Sequence, residues 1–284
     1  MSDTNTLLNT GARSITRGSP WARRVLIGLV VTYVGSLILA PIVALTAGAF
    51  NEGKGAILAA LSQPDVLVAF RLTLLISLVV VAAHAIFGTI VAWVFVRDRF
   101  PGRNLLNGLI DMPFAVSPVV VGYMLLLLFG RNGLLAPLLA PFGIKVVFAV
   151  PGMILATLFV TLPFMARELI PVLDNLGLSQ ERAAATMGAN GWQIFWRVTF
   201  PALRWGLIYG IALTFARALG EFGAVLVIGG GIQGRTETAT LYIYRALDER
   251  QYIGAYSAAF VLGLLSLALV LGTDYIQRKG QERQ

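Results

Sequence analysis

Two charged residues set four apart, Arg217 and Glu221, stand inside an otherwise apolar run at 205–231. A lone arginine at mid-membrane costs roughly 2.5 to 3.5 kcal/mol on insertion scales. A carboxylate one helical turn away shares its face and offsets part of that. Arginine preceding glutamate is the weaker order for such a pair, so further partners are expected. Two readings stand: an ion pair that locks a helix bundle, or a pair that borders a conduction path or its gate. A second polar feature, Asp111-Met-Pro-Phe-Ala-Val-Ser117-Pro118, sets Ser117 among two prolines. That pattern suggests a broken helix lining a cavity. For an anion, Arg217, Ser117 and turned-out backbone N–H groups are suitable contacts.

Other chemistry is missing. The chain has one histidine, His84, and no cysteine, which excludes disulfides, thiolate metal sites and cysteine nucleophiles. His84 lies among apolar residues and reads as a hydrogen-bonded packing residue, with a pore-lining group as the sharper alternative. No G-x-x-x-x-G-K-[ST] phosphate cradle occurs. Gly53-Lys54-Gly55 lacks the first half, and Gly229-Gly230-Gly231 continues as Ile232-Gln233-Gly234 without the lysine, reading as a flexible outer loop. With no metal-ligand cluster and no paired nucleophile and base, the sequence predicts a non-catalytic chain with no cofactor.

The densest local signal lies at 178–201. Ser179 is a suitable helix N-cap, and Glu181 suits the positive end of a helix dipole. Ala183, Ala184, Ala185 and Met187 favour a short helix with a small-residue face, and Gly188 favours its end. A second short helix carrying Trp192, Phe195 and Trp196 follows, which Pro201 is expected to stop. Such an ordered loop offers an alanine-rich face that a partner could approach closely. An amphipathic hairpin on lipid headgroups is the plainer reading.

The elements that must position these residues are membrane helices. Of 284 residues, 57% are hydrophobic and 13% charged, against about a quarter charged in soluble domains. That much apolar surface needs lipid cover. Runs at 25–50, 72–96, 105–129, 146–166, 205–231 and 252–273 each reach the roughly 20 residues that span hydrocarbon, which predicts an all-α membrane protein of six transmembrane helices. The runs do not alternate, so a β-barrel is excluded. The first is too long for a signal-peptide core. Fourteen of the 22 Lys and Arg residues fall on one side and seven on the other, with Arg217 inside a span. The richer side, with Arg13, Arg17, Arg23 and Arg24 before the first span, Arg97, Arg99 and Arg103 after the second, and Arg278, Lys279 and Arg283 at the end, is cytoplasmic by the positive-inside rule. The net charge of +8 belongs to this bias and not to nucleic-acid binding. A carrier acting alone would need ionisable relays in several spans, and only Asp111, Arg217, Glu221 and His84 are available.

The 178–201 segment resembles the EAA loop of permease subunits in bacterial ATP-binding-cassette importers. Ala183, Ala184, Gly188, Val198 and Pro201 fall in register; Arg182 stands where that family has Glu, with Glu181 one place earlier, and Phe200 where Leu is usual. The run from Arg217 to Ala224 resembles the signature of sulfate and molybdate importer permeases. Asp111 to Val120, Gly130-Arg-Asn-Gly133 and 151–171 are similar to W-type permease subunits of sulfate/thiosulfate importers, and the likeness extends over about 21–271.

The resemblance implies a type I importer permease fold: a tail at 1–24, a first helix at 25–50, a five-helix core at 67–274 and a tail at 275–284. It implies that the 178–201 loop, through Glu181, Arg182, Ala183, Ala184, Gly188, Val198 and Pro201, docks on a separate ATPase that binds the ATP. It also implies a second, T-type permease, a dimer of ATP-binding subunits, a periplasmic sulfate/thiosulfate-binding protein and the bacterial inner membrane, with both termini cytoplasmic. Related importers of molybdate, tungstate or phosphate are the alternative.

Overall fold

The computed structural model describes residues 20–281. Arg13, Arg17 and Arg283 lie outside them, as do the side chains of Arg278 and Lys279. The chain falls into two units, residues 1–47 and 48–284. The described part of the first is one apolar helix, α1 (Pro20–Phe50), whose last three residues enter the second unit. It begins at Pro20, so Arg23 and Arg24, expected in the tail, are helical. Proline suits a first turn, where its missing N–H has no partner to lose.

The second unit runs α2 (Gly53–Leu61), α3 (Pro64–Arg97), α4 (Arg103–Ala115), α5 (Pro118–Phe129), the single turn α6 (Ala136–Leu139), α7 (Val150–Leu176), α8 (Ser179–Thr186), α9 (Gly191–Ile194), α10 (Phe200–Leu219), α11 (Gly223–Gly229), α12 (Ala239–Asp248) and α13 (Tyr252–Gln281). No strand occurs among the described residues. Among the described residues, five helical stretches are long and apolar enough to span a membrane, and the pair α4 and α5 makes a sixth if it counts as one.

Three spans differ from expectation. The 72–96 run lies within a helix that starts at Pro64; Arg71 interrupts the apolar window but not the hydrogen-bond ladder. At about 1.5 Å per residue this helix outreaches the hydrocarbon core. The 105–129 run is two helices bent by 113°. Val116 and Ser117 are extended there, with ψ of 132° and 135°, because Ser117 precedes Pro118 and a pre-proline residue avoids the α region. The 205–231 run also breaks: α10 ends at Leu219, and Gly220 to Phe222 leave the helix before the short α11 begins.

The core forms around α3 and α7. Thr73, Ile76, Ser77, Val80, His84, Gly88 and Ala92 recur on one buried face of α3, the three-and-four spacing of a helix stripe. Ile76 and Val80 join Met153, Ala156 and Val160 of α7, Val121 of α5 and Val225 and Ile228 of α11 in one cluster. Gly88 allows a close approach, since a Cβ there would stand 2.6 Å from Met165 Cγ; small residues pack membrane helices in this way. His84 is buried, with Nε2 3.0 Å from Thr161 Oγ1 and 3.1 Å from the Leu158 carbonyl oxygen. A carbonyl only accepts, so Nε2 carries a proton. His84 is a packing residue that ties α3 to α7.

Candidate coupling and translocation sites

The elbow at 178–201 is built on a clamped base. α8 starts at Ser179, but Leu178 holds the cap position and no side chain caps it. Gly177, with φ of +63°, turns the chain sharply after α7. Leu178 is then already right-handed, and its carbonyl takes the Arg182 N–H at 2.9 Å. Ser179 is therefore the first helical residue and not the cap. Glu181 turns inward: its Oε1 accepts from Arg97 Nη2 at 2.8 Å and from Thr199 Oγ1 at 2.9 Å. The Arg97 and Glu181 side chains are only 9% and 12% exposed. Arg97 also lies over the Trp93 ring, and Trp93 meets Phe195 edge-on at 5.7 Å. Three sequence-distant pieces, the end of α3, the start of α8 and the segment before α10, are thus locked together.

The tip is bare. Arg182, Ala183, Ala185 and Gly188 are exposed, Ala184 is half-buried, and Met187 is 88% exposed. The Ala189 N–H donates to the Ala184 carbonyl and the Gly188 N–H to Ala185, which together form a Schellman C-cap. Gly188 supplies the left-handed residue that this cap needs, with φ of +88° and open space around it. Asn190 and Gln193 then form a reciprocal capping box that starts α9. Val198 is half-buried and Pro201 exposed. Pro201 does not stop the helix. Residues Phe195–Thr199 widen into a π-helix, and Phe200 donates to the Phe195 carbonyl. Proline brings no N–H to the ladder, and the wider register absorbs the missing bond.

The second site is where two broken helices meet. A Cβ on Gly223 would stand 3.0 Å from Val119 Cγ2 and 3.3 Å from Val119 N, so the start of α11 rests on the start of α5. Ser117 is exposed at the head of α5, with no side-chain cap bond. Arg217 and Glu221 pair at 2.8 Å, with 29% and 2% of their side chains exposed. The expected ion pair forms, but Glu221 lies in the break and not on the helix. Its Oε2 takes no aligned hydrogen bond, so the contact with Arg217 is Coulombic. The other oxygen accepts from the Ala224 N–H at 3.2 Å, and its backbone carbonyl accepts from Thr240 Oγ1 at 2.7 Å. These are the further partners that the weak order of the pair calls for. Glu221 thereby joins α10, α11 and α12 at one point.

Residues 84–280 match the family described as the binding-protein-dependent transport system inner membrane component. The chain belongs to this family. Among its relatives are sulfate permease 2, chloroplastic, of Chlamydomonas reinhardtii, 49% identical over 92% of this chain and 70% of the relative. The sulfate transport system permease protein CysW of Synechococcus elongatus is 47% identical over 90% of each chain, and CysT of Escherichia coli strain K12 is 38% identical over 91% of this chain and 95% of the relative. The crystal structure of a bacterial ABC transporter that imports the acidic polysaccharide alginate aligns at a TM-score of 0.76 and 17% identity, covering 91% of this chain and 96% of that one. The fold is that of a type I ABC importer permease, and the protein is a multi-pass membrane protein. The family match begins at His84 and takes in Arg97, the elbow and both helix breaks.

Sequence reasoning missed two anchors. Arg97 reads as one more loop charge, and nothing local points to a partner 84 positions on. Arg167 lies in α7 and grips Asp111 through two nitrogens, with Nε to Oδ1 at 2.7 Å, and Asn107 Oδ1 at 2.9 Å. The i, i+4 spacing of Asn107 and Asp111 on an amphipathic α4 is the one signal that could have suggested a shared ligand.

Proposed function

We propose that this chain is the permease subunit of an ATP-driven sulfate or thiosulfate importer, forming half of the translocation path and coupled to a separate ATPase through the 178–201 elbow. The observation that carries the coupling role is the contrast within the elbow. A small-residue tip, with Ala183, Gly188 and Met187 bare, stands on a base held by the buried Arg97–Glu181 pair. A force applied at such a tip reaches α3 and α10 without being lost in slack. The names of relatives alike over nine-tenths of both chains support sulfate, and no observation favours molybdate, tungstate or phosphate.

The chain is non-catalytic and needs no cofactor in this reading. ATP belongs to a dimer of partner subunits, a T-type permease completes the path, and a periplasmic sulfate/thiosulfate-binding protein delivers the anion. Both termini are cytoplasmic in the bacterial inner membrane. Closure of the ATPase pulls on Ala183–Ala184–Gly188, with Val198 and Pro201 passing the motion into α10, and the helices rock to alternate access. Arg217, Glu221 and Ser117 border the path. A passing dianion meets the half-exposed Arg217 and the free N–H groups at the head of α5, while buried Glu221 limits how tightly it is held. Weak holding suits release, so selection lies with the delivering protein.

The test uses a strain lacking the chain's own gene. The wild-type chain should restore growth on sulfate as sole sulfur source. Gly188→Asp, which puts a charged side chain at the left-handed tip, should abolish ATP-coupled uptake while the protein still reaches the membrane. Normal uptake by that variant would remove the elbow from the mechanism.

A further inference from the structure

Between α2 and the turn that joins α12 to α13 lies a pocket of about 690 Å³, lined by Glu52, Ala56, Gln63, Tyr242, Arg250 and Gly254 among others. The function above leaves it unused. Tyr242 is 1% exposed, and its hydroxyl has no hydrogen-bond partner among the described residues. A buried polar group left unpaired is destabilising, so its retention calls for an explanation. A Cβ on Gly254 would stand 2.6 Å from that hydroxyl. Glycine at this position is what lets the phenol reach the first turn of α13. Burial, partly opposed by Arg245, pushes the Tyr242 phenol above its ordinary pKa, so the group stays a donor.

Two further donors converge there. Arg250 is exposed, makes no ion pair with any described residue, and holds φ at +61°. That conformation closes a Schellman cap at the end of α12, in which the Arg250 N–H donates to the Leu247 carbonyl and the Gln251 N–H to the Ala246 carbonyl. α13 is 30 residues long, and its first intrahelical N–H is that of Ala255, which bonds the Gln251 carbonyl. The N–H groups of Tyr252, Ile253 and Gly254 have no backbone acceptor, as at any helix start. One cation, one buried hydroxyl and three free N–H groups form a receptor for a carboxylate.

We propose that this pocket receives an aspartate or glutamate side chain of the soluble substrate-delivering protein as it docks on the outer face. The inference rests on the importer reading above and adds where that protein is held. A free divalent anion fits less well. Among the described residues that line the pocket, Arg250 is the one full positive charge, and Glu52 opposes it. A single negative charge already tethered to a docked surface has a high effective concentration, so a weak site suffices. The α2 alanines give its methylene groups an apolar floor.

The experiment uses the complete importer complex in nanodiscs and its delivering protein, with the Kd read by biolayer interferometry at fixed salt. Arg250→Asn removes the charge with a residue that tolerates positive φ and should weaken binding about tenfold. Tyr242→Phe keeps the ring packing and should weaken it about threefold. Arg235→Asn, which removes another exposed charge of the same half of the chain, should leave binding at the wild-type value. Wild-type affinity in both Arg250→Asn and Tyr242→Phe overturns the proposal. So does an equal loss in Arg235→Asn, which would mean diffuse charge steering. Binding of inorganic sulfate alone that Arg250→Asn abolishes would make this a free-anion site, again overturning it. If the wild-type complex binds no delivering protein at all, the importer reading itself fails.

Discussion

Two arginine–glutamate pairs in this membrane protein share a 2.8 Å separation and little else. Arg97 and Glu181 come from elements 84 residues apart, are both about nine-tenths buried, and are aligned as a hydrogen bond with Thr199 as a third member. Arg217 and Glu221 are neighbours on one chain segment, with one partner buried and the other 29% exposed, and their contact is not aligned. The first arrangement fixes a geometry. The second leaves the cation half-exposed, while Glu221 is held by α11 through its carboxylate and by α12 through its backbone carbonyl. The proposed mechanism needs rigidity where force enters and a loosely held charge where an anion moves, and the two pairs differ in that sense.

The comparison breaks first at the elbow. Glu181→Ala strands Arg97 in a buried site and should lower stability by about 3–5 kcal/mol, read from thermal unfolding of the assembled complex. Adding Arg97→Ala should return much of that loss, because the charge is removed with its partner. A single-variant loss no larger than that of an exposed pair would mean the clamp is ornamental.

At the helix breaks, Arg217→Ala should cut sulfate flux several-fold, on the scale of one lost charge contact, with little change in preference among anions and with the complex still assembled. Flux equal to wild type would return the pair to a bundle lock. Smaller effects sharpen the contrast in rigidity. Gly188→Ala meets no clash but must hold a left-handed conformation, for about 1 kcal/mol of local destabilisation, visible as faster hydrogen exchange across α8. Asn190→Ala removes half of the capping box and should fray α9 by about 1 kcal/mol, with Trp192 fluorescence as the probe. Neither should perturb exchange near Glu221.

Much of the architecture is local enough to read directly. Apolar runs of about 20 residues declare spans because lipid leaves exposed backbone polar groups without partners; the runs at 25–50 and 252–273 reappear whole in long helices, and the run at 146–166 does so from Val150 onward. The break at Ser117 is legible because proline restricts the residue before it. The break at Gly220–Phe222 is not: its residues tolerate a helix, and it opens because Glu221 bonds α11 and Thr240 instead. Pro201 misleads in the opposite sense, since a π-turn keeps the helix going.

The sequence by itself determined that this chain crosses a membrane, that it lacks a nucleotide cradle, and that a small-residue elbow containing Gly188 lies between its fourth and fifth apolar runs. Those facts depend on composition and on spacing within a few turns. Only the tertiary structure decided that Glu181 and not Arg182 is the braced residue, that Arg97 is its anchor, and that the heads of α5 and α11 stand together. Each of these is a pairing between residues distant along the chain, and such pairings are chosen by burial, where an unmatched charge costs more than any local preference can repay.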